Sequence, residues 1–296
     1  MRTRSRLFLG WGIPEFAMTA TLMLIAGVGY AGPFFFSTGS VNNLMATASR
    51  PDTPGKFEIE AADDFVLTGS QTSLTSATFT GLLTGASPTI GEVRVEIYRV
   101  FPNDSNVGRT SGPPTFSTSQ VPTRVNSPSD VALDDRDSTV GGGLSFTTTV
   151  LSGTFTALNS IQPGGIHPSP NQTTGGNGPV TGQEVQFNIT FTAPFDLPAD
   201  HYFFIPQVQV GGGEFLWLSG SRPIVPPGTP FAPDLQSWTR DTFLDPDWLR
   251  VGTDIVGTGT FNGAFTLTGA VPEPGSLLLL VGAGIAALWS RRERRA

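Results

Sequence analysis

The middle of this chain alternates with a period of two. Val93, Val95 and Ile97 alternate with Arg94, Glu96 and Tyr98, and Val185, Phe187, Ile189 and Phe191 alternate with Gln186, Asn188 and Thr190. A helix repeats every ~3.6 residues and scatters such a set around its axis, whereas a strand with one face in a core buries all of it. Each segment is therefore expected to be a half-buried antiparallel strand. Less regular candidates span 64–68, 74–83, 146–156, 202–210, 215–219 and 261–268, dominated by the Thr and Phe that strand propensity favours. With 36 Gly and 25 Pro in 296 residues, breakers are too frequent for a mainly helical protein and suit strands joined by turns. The fold expected is all-β, an antiparallel two-sheet β-sandwich of jelly-roll type over residues 32–270, with a signal helix before it and a short hydrophobic helix after it.

The two ends carry a different pattern. Arg2, Arg4 and Arg6 precede an apolar run over 16–28, and Gly29-Tyr30-Ala31 places small residues where a signal peptidase reads them. That order predicts a secretory signal peptide over 1–31, cut after Ala31, too short to remain as an anchor. Pro14 and Glu15 interrupt the cationic-to-apolar order, which leaves Met18 as an alternative start. At the other end, 271–296 holds Pro272-Glu273-Pro274, then an uncharged apolar stretch including Leu277, Leu278, Leu279, Leu280, Val281, Ile285, Leu288 and Trp289, then Arg291, Arg292, Arg294 and Arg295. As a helix the stretch over 277–289 measures about 20 Å, a marginal membrane anchor. The arginines would hold its end in the cytoplasm, leaving the body on the far side of the inner membrane. Gly269 and Ala270 are the only slack expected between the last strand and this tail.

Motif, apolar segment and arginine cluster, in that order, resemble the PEP-CTERM sorting signal of exported bacterial proteins. The resemblance implies recognition by a membrane-embedded exosortase, cleavage near Pro272-Glu273-Pro274, and delivery to the cell surface, outer envelope or extracellular matrix in bacteria that make exopolysaccharide. It implies a route and no activity. The phrases 62–67 (Ala-Asp-Asp-Phe-Val-Leu) and 95–99 (Val-Glu-Ile-Tyr-Arg) also resemble uncharacterised exported proteins with this tail.

Without its ends the body has ten basic and twenty-one acidic side chains, a net of −11. A field of that sign repels nucleic acid and anionic lipid and tolerates cations or neutral polymers. Lys56 is the only lysine and no Gly-rich run leads into Lys-Ser/Thr, which excludes a phosphate-cradling nucleotide site. The absence of Cys removes thiol chemistry, Cys-ligated zinc and disulfides together.

The remaining constellations have a plain and a functional reading. His167 and His201 lack a Gly-x-Ser-x-Gly elbow to serve, and two histidines are too few for an ordinary zinc centre. Asp134, Asp135 and Asp137 precede Gly141-Gly142-Gly143, and Asp241, Asp245 and Asp247 surround Trp248. They are either solvated turn aspartates or, for the first cluster, oxygen ligands for a structural calcium, the one cofactor considered. Trp238 and Trp248 either enter the core, as large aromatics usually do, or lie exposed and stack on sugar rings. The body is thus expected to be a noncatalytic structural or adhesive component. The alternatives are a carbohydrate-binding module for exopolysaccharide and a secreted hydrolase, which would need two carboxylates facing across a cleft. The 101–143 stretch is expected to contain short strands of its own, because an unstructured loop of that length is uncommon.

Overall fold

A computed structural model describes residues 32–109, 120–166, 173–223 and 235–272. The chain is all-β. In order the strands are β1 (Gly32–Ser37), β2 (Val41–Ala48), β3 (Ile59–Leu83), β4 (Thr89–Arg99), β5 (Asp134–Asp137), β6 (Leu144–Ala157), β7 (Ser160–Ile161), β8 (Val180–Gly211), β9 (Phe215–Gly220), β10 (Trp238–Asp241), β11 (Leu249–Arg250), β12 (Asn262–Gly263) and β13 (Phe265–Val271). The expected signal helix and the apolar segment 277–289 lie outside the described residues, and no described helix is long and apolar enough to cross a membrane.

All thirteen strands belong to one hydrogen-bonded sheet, whose main path runs β5-β4-β8-β3-β9-β2-β7. This corrects the expectation of two separate sheets. The segments 64–68 and 74–83 are parts of β3, which is 25 residues long, and 185–191 and 202–210 are parts of β8, which is 32. β3 and β8 pair with each other along most of their length, with register shifts between Leu67 and Gln71 and between Leu74 and Ser76. Bulges of this kind bend a strand without ending it. Pro194 and Pro198 of β8 lie at or beside these shifts, where a missing N–H does least damage to the ladder.

The bend folds the sheet over itself. One half contains β6, the start of β8, the end of β3 and β13; the other contains β5, β4, the end of β8, the start of β3 and β10. Their inner faces meet in the main core, where Phe204 of the second half stacks on Phe265 of the first at 4.8 Å and lies 6.2 Å from Trp217 and 6.3 Å from Phe79. Phe79 stacks in turn on Phe187 at 4.9 Å. Of these, Phe187 is one that the alternation places inward.

The stretch over 101–143 supplies the short strand β5, as expected, and its end forms a tight turn into β6. Gly143 has φ +90°, and a Cβ at Gly142 would strike the Asp137 carboxylate, so this turn needs the glycines for shape.

Candidate functional site

Both ends of the body leave it at one place. β1 and β13 form an antiparallel ladder from Gly32↔Val271 to Ser37↔Thr266, so the residue after the expected signal cut faces the residue before Pro272. Phe34 and Phe36 of β1 pack on the main core, Phe36 at 5.3 Å from Phe265. Gly269 and Ala270 are not slack, because β13 runs unbroken to Val271. A Cβ at Gly269 would sit 2.2 Å from the Ser73 carbonyl oxygen, so the glycine serves close packing instead. Pro272 is the last described residue; Ala31, Glu273, Pro274, the apolar residues from Leu277 to Trp289 and Arg291, Arg292, Arg294 and Arg295 lie outside the described residues.

The outer face of the same half carries two rows of uncharged side chains across five strands. Ser37, Thr266, Thr78, Asn188 and Thr147 form one; Phe35, Thr268, Ser76, Thr190 and Ser145 form the other. Thr78 and Thr266 share a hydrogen bond of 2.7 Å, Ser76 bonds Thr268, and Asn188 Nδ2 donates to Thr149 Oγ1 at 3.3 Å. Phe35, 68% exposed, marks the rim. Neighbouring rows of a sheet repeat at about 4.8 Å between strands, so these donors and acceptors form a regular lattice.

The tryptophans do otherwise than a sugar platform requires. Trp238 and Trp248 are 2% and 1% exposed, and they pack with Tyr98, Phe203 and Ile205 in a separate core cluster. The stacking role considered for them is corrected, because β10 brings Trp238 against β3 and Trp248 Nε1 donates to the Ser129 carbonyl at 3.0 Å. Above Trp248 lies the Arg240 guanidinium, 4.3 Å from the ring centre.

That arginine organises a buried network that sequence reasoning missed. Arg240 Nε donates to Glu60, Nη2 to the Tyr98 hydroxyl at 2.8 Å and Nη1 to the Asp130 carbonyl at 3.1 Å, while Asp245 lies 2.8 Å from Nη1. The Tyr98 hydroxyl donates to Glu60 Oε1 at 2.8 Å and lies 3.4 Å from Glu96 Oε2. Asp247 pairs with Arg109 at 3.2 Å and with Arg124 at 3.5 Å. Asp241 accepts the backbone N–H groups of Phe243 and Leu244 at 3.1 and 3.0 Å. The signal available was Tyr98 sharing the polar face of its strand with Glu96; the partner, Arg240, is 142 residues away.

Burial, reinforced by Glu60 and Glu58, pushes the Glu96 carboxyl well above its ordinary 4.5, and burial and Glu60 raise Glu58 in the same direction. A carboxyl raised in the folded chain contributes its stability in full below the unfolded value and loses it as pH rises through the folded one. Glu96→Gln stays neutral and avoids that loss. Its thermal midpoint is expected to exceed the parent's by several degrees near pH 7.5 and to converge with it toward pH 4; a difference that ignores pH would sink this assignment.

Asp134, Asp135 and Asp137 are not gathered. They lie along β5 opposite β4, where alternate side chains point to opposite faces. Asp134 instead binds Arg136 Nη1 at 2.6 Å, and Asp137 accepts the Thr139 N–H at 2.7 Å. Among the described residues no group of three or more acidic or histidine side chains is placed to hold a metal ion. His201 Nε2 lies 2.6 Å from Asp64, which also accepts the Leu235 N–H at 2.8 Å, while Asp63 accepts the Gly263 N–H at 3.0 Å. These acids stitch β3 to the segments beside it. His167 lies outside the described residues. An open crease of about 230 Å³, lined by Leu83, Pro88, Thr154, Thr181 and Gln183 among others, has no carboxylate or imidazole in its lining.

Residues 270–295 match the family model of the PEP-CTERM protein-sorting motif. The chain therefore carries a C-terminal sorting signal, which marks an exported protein that an exosortase-like enzyme processes at the membrane on the way toward the cell surface. No curated protein and no solved structure matches the chain significantly.

Proposed function

We propose that the body acts without catalysis, as a structural or adhesive component of the cell surface or extracellular matrix that contacts neutral polysaccharide. The observation that supports this reading is the uncharged face across β1, β13, β3, β8 and β6. In a body of net charge −11, a region free of charge is where a neutral polymer docks without the cost of desolvating an ion. Its hydroxyl and amide groups donate and accept at once, which matches the hydroxyls of a glycan. Half-exposed Ser, Thr and Asn lose little when a wet polar partner replaces water.

The reading also accounts for the buried Trp238 and Trp248, which support the fold beneath the opposite half. A hydrolase would need two carboxylates accessible to substrate, and Glu60 and Glu96 are sealed beside Tyr98.

The test is retention on the producer's own exopolysaccharide and on a glycan array. The parent protein is expected to be retained, and Thr78→Glu with Asn188→Glu is expected to lower retention by about tenfold or more, because each new carboxylate must be desolvated at the contact. Both sites are on the outer face but stand opposite each other in the ladder, so a modest destabilisation is expected while the fold persists, checked by circular dichroism. Absence of retention, or retention indifferent to the double variant, would remove the reading; turnover of the polysaccharide would replace it with the hydrolase.

A further inference from the structure

Sheet edges are where strands from another chain can add, and most proteins protect them with charge, proline or shortness. The edges of this sheet are protected unequally. β5 consists of three aspartates and an arginine, β1 carries Pro33, and β7 is two residues long. β6 has none of these devices. Its fourteen residues, Leu-Ser-Phe-Thr-Thr-Thr-Val-Leu-Ser-Gly-Thr-Phe-Thr-Ala, contain no charge and no proline. β8 pairs with one side of it, and among the described residues no strand pairs with the other. Over 144–150 the ladder with β8 is regular, and the first register shift comes only after Val150. A regular antiparallel strand directs alternate N–H and C=O pairs away from its partner, so this stretch presents an open row of backbone donors and acceptors.

We infer that β6 is a self-association edge, and that its occupant is the β6 of a second copy of this chain, paired antiparallel about a two-fold axis through Thr148. The side chains agree with that register. Phe146 comes opposite the second copy's Val150 on the inner face, and Thr147 opposite its Thr149 on the outer face. Aromatic with β-branched and Thr with Thr are favourable cross-strand pairs. Val150 is 54% exposed, while Phe146 is already packed against the core, 6.3 Å from Phe187. Pairing thus covers an exposed valine with a ring that is held in place. Charge points to the same edge: two bodies of net −11 repel, and an uncharged strand is where they meet without opposing like charges. The two uncharged outer faces would then run on as one surface. This inference does not depend on what that surface binds.

The absence of native Cys makes the test direct. Thr148→Cys in the full chain places one thiol on the proposed axis, where paired Cα atoms lie about 4.5–5.5 Å apart, within disulfide reach. Mild oxidation of cells or purified protein is expected to give a disulfide-linked dimer from this variant, and at least about tenfold less from Val140→Cys, a fully exposed control outside β6. Adding Val150→Lys to Thr148→Cys is expected to abolish the dimer while leaving the melting temperature unchanged, because Val150 is exposed in a single copy. Equal cross-linking at positions 140 and 148, no cross-link at 148, or a dimer that survives Val150→Lys in a folded protein each overturns the proposal.

Discussion

Arg240→Met is expected to destabilise the body by about 3–5 kcal/mol, the usual penalty for leaving one member of a buried ion pair without its partner. Met keeps the length and the apolar stem but returns none of the donors that reach Glu60, Tyr98 and the Asp130 carbonyl. Glu60 is 3% exposed and would retain a charge with no cation against it. Contact with the Trp248 ring would also change, since the guanidinium lies 4.3 Å above it. Against a typical margin of about 5–15 kcal/mol, such a loss removes a large part of the stability. Urea unfolding of parent and variant measures it. Adding Glu60→Gln to Arg240→Met is expected to recover part of the loss, because the stranded charge goes with it, and the double-mutant cycle isolates the coupling. An unfolding free energy for Arg240→Met within about 1 kcal/mol of the parent would show that the network is ornamental to the fold.

Removal of 272–296 is expected to redirect the protein without unfolding it. The cut falls after Val271, so β13 keeps every pair it makes with β1 and β3. What is lost is the sorting motif and all that follows it. The truncated chain is expected to leave the cytoplasm and to collect in a different fraction from the full chain. Intact-mass measurement on envelope and medium fractions reads both processing sites at once, with the parent expected to begin at Gly32 and to end near Pro272-Glu273-Pro274. An unchanged distribution, or full-length parent recovered from the soluble cell interior, counts against the sorting route.

Inward positions were legible residue by residue, whereas Glu96 and Tyr98, which alternation places on the polar face, are buried as well. Val93, Val95, Ile97, Val185, Phe187 and Ile189 are in the main core, as their spacing required, because alternation is a property of the strand itself. Strand ends were less legible. Gly69, Ser70 and Gln71 read as a break between two strands, yet they lie at a bulge inside β3, since a local pattern does not distinguish a bend from an end. The aspartates around Trp248 read as a cluster, whereas Asp241 binds backbone N–H groups and Asp245 and Asp247 bind arginines. Proximity along the chain says little about which charge each acid meets.

By itself the sequence determined what neighbouring residues suffice to encode. The strand class follows from period and propensity, and the sorting signal follows from a short linear motif, an apolar run and terminal arginines that an enzyme reads in order. Tertiary structure alone decided that the strands form one sheet curled on itself, that Gly32 faces Val271, that Trp238 and Trp248 are buried, and that Arg240 meets Glu60 and Tyr98. The reason is one of distance. Alternation assigns each side chain a face, while which strands become neighbours depends on summed packing and pairing between segments remote in the chain.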